Sequence, residues 1–137
     1  MKMFFAILGL MLSLNSSAQS KIFSLRCQHS IDTMYDRHSL QLEFNSWQNR
    51  ADFYFGDSRF NNTKEMYMGN DLRSVIIRLQ GEIVHGRANP NAKVEILLTS
   101  PTEILKRGAR IQARVRHSQT DAFSWSRSDE YLECHQY

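Results

Sequence analysis

Ile111-Gln112-Ala113-Arg114-Val115-Arg116 alternates apolar and polar side chains without a break. Successive side chains on an extended chain point to opposite faces, so such a segment presents one greasy face and one wet face. The same period recurs elsewhere. Leu40, Leu42 and Phe44 alternate with Gln41, Glu43 and Asn45; Ala51, Phe53 and Phe55 with Asp52 and Tyr54; Val94, Ile96 and Leu98 with Lys93 and Glu95. Half-buried strands of this kind belong to antiparallel sheets, because parallel sheets are covered on both faces and read as continuous apolar runs.

Less regular strands are expected at 22–28, 65–68, 74–84, 123–127 and 131–135. Gly81 lies inside the longest of these, where a glycine marks a bulge or bend. The start of that segment also fits a helical face through Leu72, Val75, Ile76 and Leu79, but three consecutive β-branched residues, Val75 to Ile77, favour a strand. Turn chemistry separates the segments. A polar loop is expected from Gly56 through Thr63, a turn at Gly69-Asn70-Asp71, another at Gly86 to Asn91, and a stop at Ser100-Pro101-Thr102. Residues 32–38 and 103–107 fit either a helical turn or an irregular or extended connection. The expected fold is all-β: seven or eight short strands in an antiparallel sandwich or partly closed barrel.

The first residues read differently. Lys2 precedes an uncharged apolar run, Met3 to Leu14, and then Asn15-Ser16-Ser17-Ala18. Small residues three and one positions before Gln19 complete the layout of a cleavable export signal. The run is also shorter than the roughly 20 residues a spanning helix needs. The reading is therefore a signal over 1–18 and a single β-rich domain over 19–137, secreted or periplasmic and not membrane-spanning. Loss of Lys2 lowers the formal charge from +3 to about +2, far from the basic balance of a nucleic-acid binder.

The chain has two cysteines, Cys27 and Cys134. In an oxidising compartment an even pair forms a bridge. Here it joins the first expected strand to the last, and closing a loop of that length is worth about 4–5 kcal/mol.

Chemistry-bearing motifs are sparse. Of the five histidines, His29 and His135 lie near the cysteines in sequence, but no spacing typical of a metal site accompanies them, and no cofactor is expected. Serines are plentiful, yet none stands in a G-x-S-x-G elbow, so no catalytic residue is assigned. The uneven feature is cationic: Lys106, Arg107, Arg110, Arg114 and Arg116 fall within one short stretch. Arg114 and Arg116 share the wet face of one strand with Gln112, an arrangement suited to carboxylates, phosphates or sulfated glycans. Charges there also serve simply to keep a sheet face solvated. Trp47 and Tyr54 are the aromatic contact candidates, and Asn61-Asn62-Thr63 is a glycosylation sequon.

Together these features point to a small exported, non-enzymatic binding or structural module that contacts a protein or an anionic envelope or glycan surface. The alternatives are an inhibitor or immunity-type protein that blocks a secreted enzyme, with a rigid projection at 57–64 or 86–92, and a small hydrolase.

Overall fold

Alternating sequence becomes a wall with an apolar inner surface and a polar outer one. The computed structural model describes residues 21–29, 38–44, 48–118 and 130–137. Among them run nine strands: β1 (Lys21–His29), β2 (His38–Phe44), β3 (Arg50–Phe55), β4 (Ser58–Phe60), β5 (Thr63–Met68), β6 (Ser74–Val84), β7 (Arg87–Thr99), β8 (Arg110–Ser118) and β9 (Glu130–Gln136). Every pairing is antiparallel.

Strands adjacent in sequence pair with one another, except β4 and β5, and two further pairings close the sheet. β4 pairs with the end of β6, Phe60 opposite Glu82, and β9 pairs with β1, Cys27 opposite Cys134. The result is a closed eight-strand up-and-down barrel with β5 as an extra strand on β6. An even number of alternating strands returns antiparallel to its start, so the seam between β1 and β9 forms an ordinary ladder. β4 and β5 pair with successive stretches of β6, which is long enough to serve both.

The inward residues are the ones the alternation selects. Leu40, Leu42, Phe53, Ile77, Val94, Ile96, Leu98, Ile111, Ala113, Val115 and Leu132 are buried together with Phe23, Leu25 and Phe60. An eight-strand barrel has an interior just wide enough for such side chains to fill. One end is plugged from outside the wall by the segment after β7. Ile104 is wholly buried, and its N–H donates to the Leu72 carbonyl (2.8 Å). Gly69 to Arg73 makes the turn there, as its composition implies.

The bridge between Cys27 and Cys134 is present, both cysteines inward-facing and buried. Gly81 sits at φ +87° where the β6–β7 register shifts, a bulge at the position its sequence marks. β6 is a strand from Ser74, so the helical alternative at its start is not taken up.

Two expectations need correction, and a third that was left open is decided. The polar stretch after Gly56 is not a loop through Thr63. Gly56-Asp57 alone makes the turn, and Ser58, Arg59 and Phe60 form β4, with Phe60 buried. Gly86 to Asn91 is not the second turn either. His85 and Gly86, both at positive φ (47° and 76°), make it, and β7 starts at Arg87. Two consecutive positive-φ residues match the twist of a tight hairpin. Among the described residues Pro90 has no register partner on β6 or β8, so no ladder bond there calls for the N–H that proline lacks. Residues 103–107 form turns, with Lys106 N–H donating to the Glu103 carbonyl, and no strand. The expected strand at 123–127, the segment 32–37 and the leader 1–18 lie outside the described residues.

Candidate functional site

Two polar clusters stand out, one inside the barrel and one on its outer wall. The first occupies the end opposite the Ile104 plug. His38 opens β2 with the parity of Leu40 and Leu42, and His117 follows the parity of Ile111, Ala113 and Val115, so both imidazoles point inward. They are 1% and 7% exposed. The Phe55 ring lies 4.4 Å from His38 and 5.2 Å from His117, centroid to centroid, with Phe53 and Phe60 close behind. Glu130 shares the inward parity of Leu132 and Cys134, and its Oε2 lies 3.5 Å from His38 Nε2.

A histidine beside a carboxylate is the beginning of acid–base chemistry; here the two stand at an ion-pair distance, a little longer than the hydrogen-bond reach of about 2.6–3.2 Å. Among the described residues no group of three histidine, cysteine or acidic side chains is placed to hold a metal. Tilted ring contacts with Phe53 and Phe55 are what these imidazoles make in common.

The second cluster lies outside, over β7, β8 and β9. Thr99, Gln112 and Glu133 are neighbours in register and form a polar floor. Tyr131 rises on one side, Arg110 on the other, and Ser100-Pro101 form a lateral wall. The concavity measures about 570 Å³. Its wall is braced: Ser100 Oγ donates to the Arg110 carbonyl (3.1 Å) and accepts the Thr102 N–H (3.2 Å), while Ser100 N–H donates to the Arg73 carbonyl. Arg110 is ion-paired with Glu133 across the groove. Tyr131 is half exposed, and the Arg114 guanidinium sits 5.9 Å from its ring centroid.

The rows beside the groove are ordered too. Tyr67, Ile76, Leu97, Arg114 and Tyr131 are successive register partners across five strands, all facing outward. In the next row Glu65, Arg78, Glu95 and Arg116 alternate in sign. Arg78 Nε lies 2.9 Å from Glu95, Arg116 lies 3.7 Å from it, and Arg78 also pairs with Glu65. Its hydrogen bond to Glu95, reinforced by Glu65, raises the Arg78 pKa above the ordinary arginine value.

The cationic residues singled out from sequence are therefore divided. Arg110, Arg114 and Arg116 share the outer face of β8 with Gln112, as their parity implies. Lys106 and Arg107 are exposed on the plug segment beyond the strand. Arg110 and Arg116 already face carboxylates, so an incoming anion must compete with Glu133 or Glu95. Tyr54 does not join them. It projects outward from β3, on the far side of the barrel from β8, half-buried with Arg59 5.4 Å above its ring. Arg59 is bound to Asp52 (3.0 Å), and that hydrogen bond raises its pKa. Trp47 lies outside the described residues.

Sequence reasoning passed over His38, His117, Glu130, Thr99, Tyr131 and Glu133. The first three were detectable as polar residues holding inward parity on strands otherwise apolar on that face. The other three needed strand register, which a single sequence does not display. His29 stands in register opposite Leu132, three residues before the exposed His135. No protein family, curated protein or solved structure matches the chain.

Proposed function

We propose that the chain is exported and that its folded domain is a small non-enzymatic binding module whose contact surface is the outer wall of β7, β8 and β9. The observation that carries this reading is the braced groove, with a half-exposed tyrosine standing over a polar floor. A concavity of that volume falls in the range of small-ligand sites, about 300–1,000 Å³. Tyrosine and arginine, which flank it, are the side chains that interfaces favour. The packed barrel behind the groove holds it rigid, so little ordering is needed on binding.

Export is supported by the leader-like first residues and by a disulfide, which persists in oxidising compartments. Outward positions carry Arg26, Asp52, Arg78, Glu95 and Arg116 while inward ones are mostly apolar, the reverse of a barrel that spans a membrane. This supports water, not lipid, around the wall. Mass analysis of the exported protein should give a chain starting at Gln19.

The groove reading is tested by placing a photo-reactive side chain at Gln112 and, as control, at Gln41 on the opposite wall. Irradiation in the native cells should yield a discrete cross-linked product from the first position only. Equal labelling at both positions, or none at Gln112, removes the groove from consideration.

The β6–β7 hairpin favours a second reading as an inhibitor-type protein. It runs past the last β7–β8 pairing among the described residues, with Arg87, Ala88, Pro90 and Asn91 exposed around a tight turn. That projection is a ribbon of paired strand instead of the loop expected at 86–92, and 57–64 is taken up by β4 and β5. Loss of the partner on Pro90→Ala/Asn91→Ala, with Gln112 variants unaffected, would favour it.

A further inference from the structure

We infer that the groove takes a segment of uncharged or weakly charged glycan, with Tyr131 as its platform. This rests on the outer wall being the contact surface and adds the chemistry of the ligand. A pyranose offers two kinds of surface, a face of C–H groups and a rim of hydroxyls that both donate and accept. The groove has a match for each. The Tyr131 ring is half exposed and steadied by Arg114, and an aromatic face is the flat apolar surface on which C–H groups pack. Below it, the Gln112 amide both donates and accepts, Glu133 accepts, Thr99 does either, and Arg110 donates. Planar groups of this kind can hold two neighbouring hydroxyls at once.

Charge argues in the same direction. Arg110 and Glu133 neutralise one another across the floor, so the floor itself carries no net charge, and each retains further hydrogen-bonding positions for hydroxyls. Geometry adds a third point. Thr99, Gln112 and Glu133 lie on adjacent strands, spaced about 4.8 Å apart, close to the sugar-to-sugar repeat of an extended glycan. A chain laid across the strands sets successive sugars over successive polar groups. Pro101, exposed on the braced segment beside Thr99, closes one end of the track.

The test is titration of the isotope-labelled mature protein with short cello- and chito-oligosaccharides, following the amides of Gln112, Leu132 and Glu133. Saturable shifts confined to these residues and insensitive to added salt are expected. Tyr131→Ala should weaken binding roughly tenfold or more, while Tyr131→Trp retains it. Tyr131 is on the surface, so both variants fold, and their melting temperatures verify this. Gln112→Ala gives an independent loss. Amides that stay unmoved up to the solubility limit overturn the assignment, as do shifts that Tyr131→Ala leaves intact. Binding of heparin that salt abolishes, in place of the neutral saccharides, overturns it too. If the Gln112 probe captures a protein while saccharides move nothing, the groove survives as the contact surface and the glycan assignment alone fails.

Discussion

Replacing both bridge cysteines by alanine tests whether the barrel depends on a covalent clasp at its seam. Cys27 and Cys134 are separated by 107 residues in sequence and sit opposite one another on β1 and β9. The bridge therefore restrains nearly all of the described domain once it unfolds. The loop-closure relation with 107 residues gives about 4.8 kcal/mol at 25 °C. Both side chains are buried, so removing the sulfurs also leaves a small void, adding about 1 kcal/mol. A total loss near 5–6 kcal/mol compares with the 5–15 kcal/mol that holds an ordinary domain together. For a chain of this size it lowers the melting temperature by about 15–25 °C.

The assay is urea unfolding of the oxidised protein and of Cys27→Ala/Cys134→Ala. Two observables are expected to move together. The midpoint falls, and the m-value rises, because the unclasped unfolded chain exposes more surface. Reduced wild-type protein, which keeps its sulfurs, should fall between the two. A loss below about 1.5 kcal/mol with an unchanged m-value would refute the reasoning. It would mean that the β1–β9 ladder closes the barrel unaided and that the unfolded chain is compact with or without the bridge.

Further outcomes follow from burial and backbone geometry. Ile96→Ala empties a fully buried position on β7 and should cost about 2–5 kcal/mol, whereas Gln41→Ala on the outer face should stay within about 0.5 kcal/mol; chemical denaturation of both checks the assignment of inner and outer faces. Gly81→Ala meets open space but must hold φ near +87°, so a loss of about 1–2 kcal/mol is expected from strain alone. A neutral result would show that the bulge relaxes. Glu95→Gln removes the carboxylate shared by Arg78 and Arg116, yet the row is solvent-exposed. The loss should not exceed about 1 kcal/mol and should shrink further in high salt, as read from melting curves at two ionic strengths.

Secondary structure was largely legible because most strands here are one-sided. Leu40 to Phe44, Val94 to Leu98 and Ile111 to Arg116 each declare their inner face by alternation, and the structure buries the residues so declared, Phe44 only partly. Legibility failed where a segment was too short to show a period. Ser58-Arg59-Phe60 has three residues, and its polar pair outweighed the single phenylalanine that decides its face. The Arg87 end of β7 failed for another reason: Pro90 and the asparagines around it are turn residues by composition, and pairing of Arg87, Ala88 and Asn89 with the end of β6 holds that end extended.

By itself, then, the chain's order of residues determined the all-β character, which side of most strands is wet, the position of the bulge, and the pairing of its only two cysteines. The first three are local properties, set by the alternation of side chains along an extended backbone and by the backbone freedom of glycine; the fourth follows because two cysteines allow only one bridge within the chain. Closure into a barrel, the union of His38, His117 and Glu130 at one end, the separation of Tyr54 from Arg114, and the row Thr99-Gln112-Glu133 came only from tertiary structure. Each depends on which strands neighbour one another and in what register, and hydrogen bonding between distant segments leaves no periodic mark in either of the segments it joins.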